Sequence, residues 1–435
     1  MWLVYNFLFF VFALFYLPVF AAKGKLGRGA AARFGSVPPP ICEALAGRRT
    51  VWVHAVSVGE IGLAVSLANR LRERLPEAKF LLTTTTHAGY AVAQKIKNEE
   101  DLLTFFPVDL PWCVRAFLNS TQPSLLVLLE TEIWPNLIRQ LAKRGVPVLL
   151  ANGRISDRAF GRYLGTRFFL KRVFRHVDGI SAQDERMRSR FLALGASAEQ
   201  VSVNGNLKYD WEPSPYQDGA AAPLKRALRG SAPFLMIAGS THEGEEEIFF
   251  RIYPQVRRNF PHARLLVAPR HLERLASIEQ AAARCGLRAF RITTSSYSAL
   301  SNAGESDVWL LDQVGVLAPL YECAWQVFVG GSLVPVGGHN LAEPAFYAKP
   351  ILFGPHMHNF RSMASEFKAQ RAAIEVAGAE ALQREWENGL RDPAGLGAMG
   401  RAARELVRRH QGATQKNVEW ILSYSDSMER SFAKV

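Results

Sequence analysis

An acidic residue, Glu60, follows the apolar run at residues 50–55. Glu60 lies in the stretch HAVSVGEIG (residues 54–62), where the apolar run ends and a helical pattern begins. Ligands of parallel α/β sheets bind at the carboxyl ends of the strands, and a carboxylate there can take a proton from an attacking hydroxyl. Glu60 is therefore a candidate general base. The structural alternative is that Glu60 only complements the dipole of the following helix.

A second pair of carboxylates follows another apolar run. Glu130 and Glu132 belong to LLETEIWPNL (residues 128–137), which ends a predicted strand and starts a helical pattern. In a parallel sheet both side chains are expected at the ligand-binding edge. Capping of the next helix, which begins near Pro135, accounts for one of the two carboxylates but not for both.

A lysine follows the last predicted strand of the first half. Lys208 lies in NGNLKYD (residues 204–210), at the predicted junction between two domains. Such a lysine is either simply solvated, or it faces a substrate and neutralises a phosphate or a carboxylate.

Two short motifs in the second half of the chain are typical of anion binding. AGSTHEGEEE (residues 238–247) follows an apolar run and opens a helical pattern, so its backbone N–H groups can hold an anion. Its acidic run, residues 243–247, is interpreted as helix-start charge. APRH (residues 268–271) also ends a predicted strand and places Arg270 at its tip.

A glycine-rich stretch further along is the strongest candidate for nucleotide binding. The glycines at the start of residues 330–355 allow close approach of the backbone to a phosphate. Asn340 and Glu343 then lie at the start of a helical pattern. A carboxylate in that position can accept hydrogen bonds from both hydroxyls of a ribose.

Several other site types are excluded by the sequence. The chain contains no GxxxxGK[ST], no GxGxxG after the first predicted strand and no Asp-x-Asp. His356 and His358 are two residues apart without a further obvious ligand, so no zinc site is predicted. The four cysteines form no CxxC pair, which argues against a disulfide framework.

Alternating apolar runs and helical patterns position these residues. The predicted strands are residues 50–55, 79–84, 103–106, 124–129, 146–152, 179–182, 234–238, 264–268, 288–292, 308–311, 326–329 and 350–353. Such alternation predicts α/β domains with parallel sheets covered on both faces. A Pro-, Gly- and Ala-rich stretch predicts a linker at 211–232 between domains at 37–210 and 233–425, with ligands bound in the cleft between the two domains.

The first 22 residues form an apolar run interrupted only by Asn6 and Pro18. A helix of this length spans about 30 Å, the thickness of a bilayer core. Four basic residues follow it: Lys23, Lys25, Arg28 and Arg33. Positive charge on that side predicts an N-terminal membrane anchor with the following domains on the cytoplasmic face. A cleavable signal peptide and a helix lying in the membrane interface are the alternatives.

The overall charge narrows the class of partner. The 435 residues carry a formal net charge of +13, which favours phosphate-bearing partners such as nucleotides or anionic lipids. The basic residues are spread along the chain and do not alternate with aromatic residues as in nucleic-acid-binding surfaces. No nucleic-acid partner is predicted.

Taken together, nine motifs between about residues 51 and 355 resemble those of the Kdo transferases, which add 3-deoxy-D-manno-octulosonic acid (Kdo) to a lipid A precursor. The motifs are VHAVSVGE, TTTTHAGY, FPVD, LLETEIWPN, NGRIS, GNLKYD, AGSTHEGEE, APRH and GGSLVPVGGHNLAEP. The resemblance implies a GT-B fold, made of two Rossmann-like domains with an interdomain cleft. It also implies an inverting, metal-independent glycosyltransferase of lipopolysaccharide biosynthesis without a cofactor. The implied partners are the donor CMP-Kdo, the lipid A precursor (lipid IVA) and the bacterial inner membrane.

The resemblance also implies roles for individual residues. Glu60 is implied as the base, and Glu130 and Lys208 as stabilisers of the transition state. The residues implied to bind CMP are Pro269, Arg270, Gly315, Val316, Leu317, Asn340, Leu341, Ala342 and Glu343. Two other readings stay open from the residues alone. One is a different GT-B sugar-nucleotide enzyme, such as a lipid-linked glycosyltransferase or an epimerase; the other is a non-catalytic basic protein of the membrane surface.

Overall fold

The computed structural model describes residues 2–22, 29–56, 58–212, 215–296, 300 and 308–424. The chain forms two compact units. Unit 1 comprises Met1–Leu207 and Gly412–Val435, and unit 2 comprises Lys208–Gln411.

The strands of the described residues are β1 Thr50–His54, β2 Lys79–Thr84, β3 Leu102–Phe105, β4 Leu125–Leu129, β5 Val148–Gly153, β6 Gly179–Ala182, β7 Val201–Val203, β8 Phe234–Thr241, β9 Ala263–Pro269, β10 Ala289–Ile292, β11 Val308–Leu311, β12 Gln326–Val329, β13 Ile351–Phe353 and β14 Ile374–Glu375. The helices are α1 Trp2–Ala22, α2 Ala30–Arg33, α3 Pro39–Leu45, α4 Val58–Arg74, α5 His87–Ile96, α6 Pro111–Thr121, α7 Pro135–Arg144, α8 Asp157–Leu164, α9 Arg167–Phe174, α10 Glu185–Leu194, α11 Pro215–Ser231, α12 Glu245–Asn259, α13 Leu275–Arg284, α14 Leu317–Leu320, α15 Ala342–Phe346, α16 Arg361–Ala369, α17 Ala379–Arg391, α18 Pro393–His410 and α19 Ala413–Leu422.

Each unit contains one seven-stranded sheet in which every pair of neighbouring strands is parallel. The strand order is β3-β2-β1-β4-β5-β6-β7 in unit 1 and β10-β11-β9-β8-β12-β13-β14 in unit 2. The order of the chain therefore reverses beside β1 in unit 1 and beside β8 in unit 2. In open α/β sheets such a reversal leaves a crevice at the carboxyl ends of the strands.

Alternation along β1 explains the two-sided core of unit 1. Trp52 faces one apolar cluster, where its ring lies 4.8 Å from that of Phe117. Its neighbour Val53 faces the opposite cluster with Ile61 of α4. All five residues of β1 are buried, because helices cover both faces of a parallel sheet. The prediction of two parallel α/β domains is confirmed.

The domain bounds differ from those predicted by composition. Residues 215–231 of the predicted linker form α11, whose Leu224 and Leu228 are fully buried in the core of unit 2. Leucines four residues apart lie on one face of a helix, and alanine is the strongest helix former. At the other end of the chain α19 belongs to unit 1, where Val418 and Ile421 are buried in the cluster that contains Val53. The predicted interdomain cleft stays a prediction.

Helix α1 packs against unit 1 through residues at its beginning. The Tyr5 hydroxyl donates a 2.8 Å hydrogen bond to Oδ2 of the buried Asp109. Asn136 Nδ2 donates to Oδ1 of Asn6 at 2.8 Å. The ring of Trp2 lies 5.5 Å from that of Phe169 in α9. These contacts hold α1 against the elements that surround β4.

Within the described residues, no helix is both long enough and apolar enough to cross a bilayer. The anchor predicted for residues 1–22 stays a prediction. Of the basic residues that follow it, Lys23, Lys25 and Arg28 lie outside the described residues.

The hydrogen bond between Tyr5 of α1 and Asp109 can be tested through its effect on stability. The carboxylate of Asp109 also accepts the backbone N–H groups of Asn136 (3.0 Å) and Leu137 (2.8 Å) at the start of α7. Burial raises the pKa of Asp109 to about 7, and the hydrogen bond from Tyr5 opposes that shift because it favours the ionised form. We therefore expect Tyr5→Phe to lower the free energy of unfolding by about 2 kcal/mol at pH 8, where Asp109 is ionised, and by about 1 kcal/mol at pH 5.

Urea unfolding at the two pH values measures this difference. Tyr90→Phe is a matched control, because Tyr90 contacts its surroundings through a ring stacked 4.7 Å from that of Phe105. Equal stability of wild type and Tyr5→Phe at pH 8 would contradict the expectation.

Candidate active site

Glu60, Glu130 and Glu132 meet at one edge of the sheet of unit 1. Because β1 pairs with β4 in parallel, with His54 opposite Leu128, the two strands end side by side. Glu60 lies in the first turn of α4, and its Oε2 accepts the backbone N–H of Val56 at 3.0 Å. The three charges interact, since Glu60 and Glu130 both raise the pKa of Glu132. The structure thus joins carboxylates that are 70 or more residues apart in the sequence.

Glu130 has an unusual backbone conformation. Its φ angle is +59°, in the left-handed region that costs a residue other than glycine roughly 1–2 kcal/mol. The turn is held by a hydrogen bond from its N–H to Ala151 O at 3.0 Å and by a bond from Thr131 Oγ1 to Arg154 O. Arg154 Nη1 lies 4.0 Å from Glu130 Oε2. Strain of this kind is common where side-chain direction matters to function.

The capping role considered for this carboxylate pair is not what the structure shows at the start of α7. Asp109 accepts the N–H groups of Asn136 and Leu137 there. Glu132 instead accepts a 2.8 Å hydrogen bond from Trp134 Nε1, and its Oε2 lies 4.0 Å from His54 Nε2. Glu132 therefore has partners other than the backbone N–H groups at the start of α7.

In unit 2, Arg270 and Glu343 are brought together at the carboxyl edge of the second sheet. Arg270 follows β9, and its N–H donates to Thr241 O at the end of β8 at 3.0 Å. Glu343 lies in the first turn of α15. Burial raises the pKa of Glu343 to about 7, and the charge of Arg270 opposes the shift. A half-buried acid beside an arginine suits a ribose next to a phosphate.

The other residues predicted to bind CMP fall into two groups. Asn340 caps the turn into α15, because its Oδ1 accepts the Ala342 N–H at 3.1 Å. Leu341 and Ala342 are fully buried in the core of unit 2, so the structure exposes neither of them to a ligand. Pro269 is the last residue of β9.

Gly315, Val316 and Leu317 lie where the chain leaves β11 and enters α14. Gly315 has a φ of +89°, and Val316 is buried. Tyr321 follows α14 in the chain, and the pKa of its hydroxyl is raised by burial and by the charge of Glu343. That interaction links the segment after Gly315 with the site around Glu343.

Two histidines that sequence reasoning did not single out lie at the same edge. Nε2 of His242 is 3.0 Å from Nε2 of His339, and the rings are stacked. Burial, together with the charge of Arg270, lowers the pKa of His242 to about 4 and that of His339 to about 3. Both belong to motifs noted above: His242 to AGSTHEGEE and His339 to GGSLVPVGGHNLAEP. A bound phosphate would favour their protonated forms.

The two loops at this edge are tied together by one carboxylate, that of Glu245. Its Oε1 accepts the N–H groups of Ser332 (3.0 Å) and Leu333 (2.9 Å), and its Oε2 accepts those of Gly331 (2.7 Å) and His242 (2.9 Å). Glu245 is fully buried. Part of the acidic run therefore has a structural role beyond helix-start charge, and these N–H groups of the glycine-rich loop already have an anion.

The chain has two Rossmann-like units with parallel sheets. One carries clustered carboxylates, and the other carries an arginine, a half-buried acid and two imidazoles. These are the parts expected of a glycosyltransferase that uses a nucleotide-activated sugar. Comparison with known proteins agrees. A family model described as 3-deoxy-D-manno-octulosonic-acid transferase (kdotransferase) matches residues 28–211. The chain belongs to the Kdo transferase family. It is a glycosyltransferase, and the predicted transfer of Kdo in lipopolysaccharide biosynthesis is confirmed at the level of the family.

Individual relatives support this membership. The 3-deoxy-D-manno-octulosonic acid transferase of Haemophilus influenzae is 31% identical over 390 residues, which cover 89% of this chain and 88% of that protein. A bifunctional glycosyltransferase/methyltransferase of Fusobacterium nucleatum is 33% identical over 76% of this chain. The matched region spans 51% of that protein, about half its length.

A solved structure supports the fold alone. The UDP-GlcNAc 2-epimerase from Neisseria meningitidis, bound to UDP-GlcNAc, matches with a TM-score of 0.57 at 13% identity. The match covers 86% of this chain and all of that one.

Glu245 leads to a prediction for unit 2. In Glu245→Gln only one oxygen remains to accept, so about half of the four backbone N–H groups lose their acceptor. We expect the free energy of unfolding to fall by about 3 kcal/mol and the amides of residues 331–333 to exchange hydrogen faster. Hydrogen-exchange mass spectrometry and thermal unfolding measure the two effects. The control is Glu380→Gln, at an exposed position in the first turn of α17; equal protection of residues 331–333 in both variants would contradict the assignment.

Proposed function

We propose that this chain moves Kdo from CMP-Kdo to a hydroxyl of the lipid A precursor lipid IVA, with inversion, without a metal ion and at the cytoplasmic face of the bacterial inner membrane. The observation that carries the proposal is the meeting of Glu60, Glu130 and Glu132 at the reversal point of the first sheet, in a chain of the Kdo transferase family.

In the proposed reaction Glu60 is the base. Its position in the first turn of α4, fixed by the bond from Val56 N–H, leaves a carboxylate at the sheet edge to receive a proton. The acceptor hydroxyl gives its proton to Glu60 while its oxygen forms a bond to the anomeric carbon of Kdo. The bond from that carbon to the phosphate oxygen breaks, and CMP leaves with the electron pair.

Charge that develops during transfer determines the other roles. Positive charge grows at the anomeric carbon, and the carboxylate of Glu130 can stabilise it. Negative charge grows on the leaving phosphate, which suits Arg270 and the imidazoles of His242 and His339. We assign Lys208 to stabilise the charge of the donor as well. It belongs to unit 2, where Asn340 Nδ2 donates to its carbonyl oxygen at 3.4 Å. Its Nζ lies 5.1 Å from the ring centre of Phe360.

Cations of the protein take the place of a metal in this proposal. Among the residues that the structure describes, no three His, Cys, Asp or Glu side chains are grouped so as to hold a metal ion. Transfer assayed with EDTA and with added Mg²⁺ tests the proposed metal independence.

Variants of Glu60 and Glu343 should affect different steps, the transfer reaction and the binding of CMP. Loss of a general base costs about 10²–10⁴-fold in rate, so Glu60→Ala should transfer Kdo at most at a hundredth of the wild-type rate while binding CMP within about twofold. Glu343→Ala should instead weaken CMP binding by about tenfold or more, because a ribose hydroxyl loses its acceptor. Product mass and calorimetric titration with CMP measure the two. Kdo transfer by Glu60→Ala at the wild-type rate, or unaltered CMP affinity in Glu343→Ala, would remove that residue from its role; Glu380→Ala is the control.

A mixed apolar and basic surface supports the membrane part of the proposal. Exposed apolar side chains on α1 include Leu3, Phe7, Leu8 and Phe15. Phe168 of α9 is also exposed, beside Phe169, which contacts α1. Exposed basic residues of the α8–α9 segment are Arg158, Arg162, Arg167, Lys171, Arg172 and Arg175. Apolar side chains next to arginine and lysine favour an anionic lipid surface.

Substitution on the exposed face of α1 tests this attachment and keeps the contacts of Tyr5 and Asn6. The variant Phe7→Ser/Leu8→Ser/Phe15→Ser should bind vesicles with anionic lipids about tenfold more weakly or worse, because three exposed apolar side chains no longer enter the lipid. Turnover of a detergent-solubilised acceptor should stay near the wild-type value. Ile96→Ser, at an exposed apolar residue of α5, is the control. Unchanged vesicle binding by the triple variant would contradict the proposed surface.

A further inference from the structure

Glu132 has no role in the reaction described above, although it lies beside the proposed base. Its side chain is 20% exposed. The carboxyl accepts a hydrogen bond from Trp134, whose ring packs 5.2 Å from that of Phe106, and His54 is stacked 3.8 Å from Phe106. A carboxyl that is mostly shielded from water is poorly solvated, which disfavours its charged form.

His54 reinforces this preference through its tautomer. Its Nδ1 lies 3.1 Å from the carbonyl oxygen of Thr83 and 2.9 Å from Thr83 Oγ1. A carbonyl oxygen can only accept, so the imidazole proton is on Nδ1. The ring is fully buried, and burial lowers its pKa to about 3, so the imidazole is neutral. The lone pair of Nε2 therefore faces Glu132 Oε2 at 4.0 Å, and a lone pair opposite a carboxylate offers it no proton.

Two carboxylates from the surrounding elements act in the same direction. Glu60 from α4 and Glu130 from the end of β4 both disfavour a third negative charge. Tyr163 from α8 also interacts with Glu132, and Arg154 Nη1 lies 4.0 Å from Glu130 Oε2. Burial, followed by Glu60, raises the pKa of Glu132 to about 7; the hydrogen bond from Trp134 opposes the shift, and Glu130 adds to it.

We propose that Glu132 is a positioning residue of the transfer reaction and acts in its neutral, protonated form beside the ionised base Glu60. In that form the cluster keeps two negative charges instead of three. This spares Glu60, and the anionic substrates of the proposed function on which this inference rests, from a further repulsion. Because the neutral form is the active one, activity must fall as the pH rises and Glu132 loses its proton.

The pH dependence of transfer tests this role. For a group with a pKa near 7 that must be protonated, wild-type kcat should fall about tenfold between pH 6 and pH 8. Glu132→Gln carries a permanently neutral carboxamide, so it should remain active at pH 6 and change less than about twofold over the same range. Trp134→Phe lacks the hydrogen bond that favours the ionised form, so its fall should move to higher pH. A residue with only a packing role would shift neither profile.

A matched control and a second measurement keep the outcome clear. Glu99→Gln, at an exposed residue of unit 1, should keep the wild-type profile. A Glu132→Gln protein that is folded by thermal unfolding but keeps the wild-type fall, or that is inactive at pH 6, would overturn the proposal.

The indole of Trp134 reports on Glu132 without any substrate. In protein labelled with ¹⁵N-tryptophan, the Nε1 resonance of Trp134, assigned by its loss in Trp134→Phe, should titrate with a midpoint near pH 7. The titration should disappear in Glu132→Gln. A resonance that stays constant between pH 5.5 and pH 8.5 would overturn the proposal even if transfer is measured, and failure of the wild type to transfer Kdo would count against the proposed function instead.

Discussion

Parallel pairing of β1 with β4 is the constraint on which the candidate site depends. Two parallel strands deliver their carboxyl ends to the same edge, so Glu60 and Glu130 meet although 70 residues separate them in the chain. The pairing of β8 with β12 does the same in unit 2, where Ala238 lies opposite Phe328. In each unit these are the strands at which the strand order reverses, and the loops beyond such strands diverge and leave room for a ligand.

The two edges then use carboxylates in opposite ways. In unit 2 the fully buried Glu245 is surrounded by four backbone N–H donors, which offset its desolvation and fix the loops around His242 and Gly331. In unit 1 three carboxylates lie together, and the charges of Glu60 and Glu130 disfavour the charged form of Glu132. The first arrangement provides a rigid frame for a ligand. The second holds acids whose proton occupancy responds to their neighbours, as proton-transfer chemistry requires.

Local sequence was sufficient for the longer strands and for the carboxylates at their carboxyl ends. The predicted strands at 79–84 and 179–182 have the observed bounds, because buried parallel strands require continuous apolar runs. The short strands β7 and β14 were missed, since two or three residues carry no such run. Helix α11 was missed because its Pro and Gly content indicated a linker, whereas the burial of Leu224 depends on a core formed by distant residues.

Residues that act through partners distant in the sequence could not be found from local sequence patterns. Nothing in the local sequence pairs His242 with His339, or places His54 opposite Glu132; each contact joins residues more than 75 positions apart. Their protonation depends on burial, which is a property of the fold and not of a motif. Glu132 was noted beside Glu130 in one short stretch, but the ring of Phe106, which packs against that of Trp134, comes from a distant segment.

Charge balance connects these observations to transfer. The protein has a net charge of +13, which favours phosphate-bearing partners over long distances, yet the proposed base lies in a locally acidic cluster. Two like charges 4 Å apart repel by about 4 kcal/mol at an effective dielectric constant near 20. A third carboxylate charge would therefore strongly oppose the binding of an anionic substrate. A proton on Glu132 removes that repulsion and leaves the side chain in place beside Trp134. The cluster can then keep Glu60 ionised as the proposed base while it admits substrates that carry negative charge.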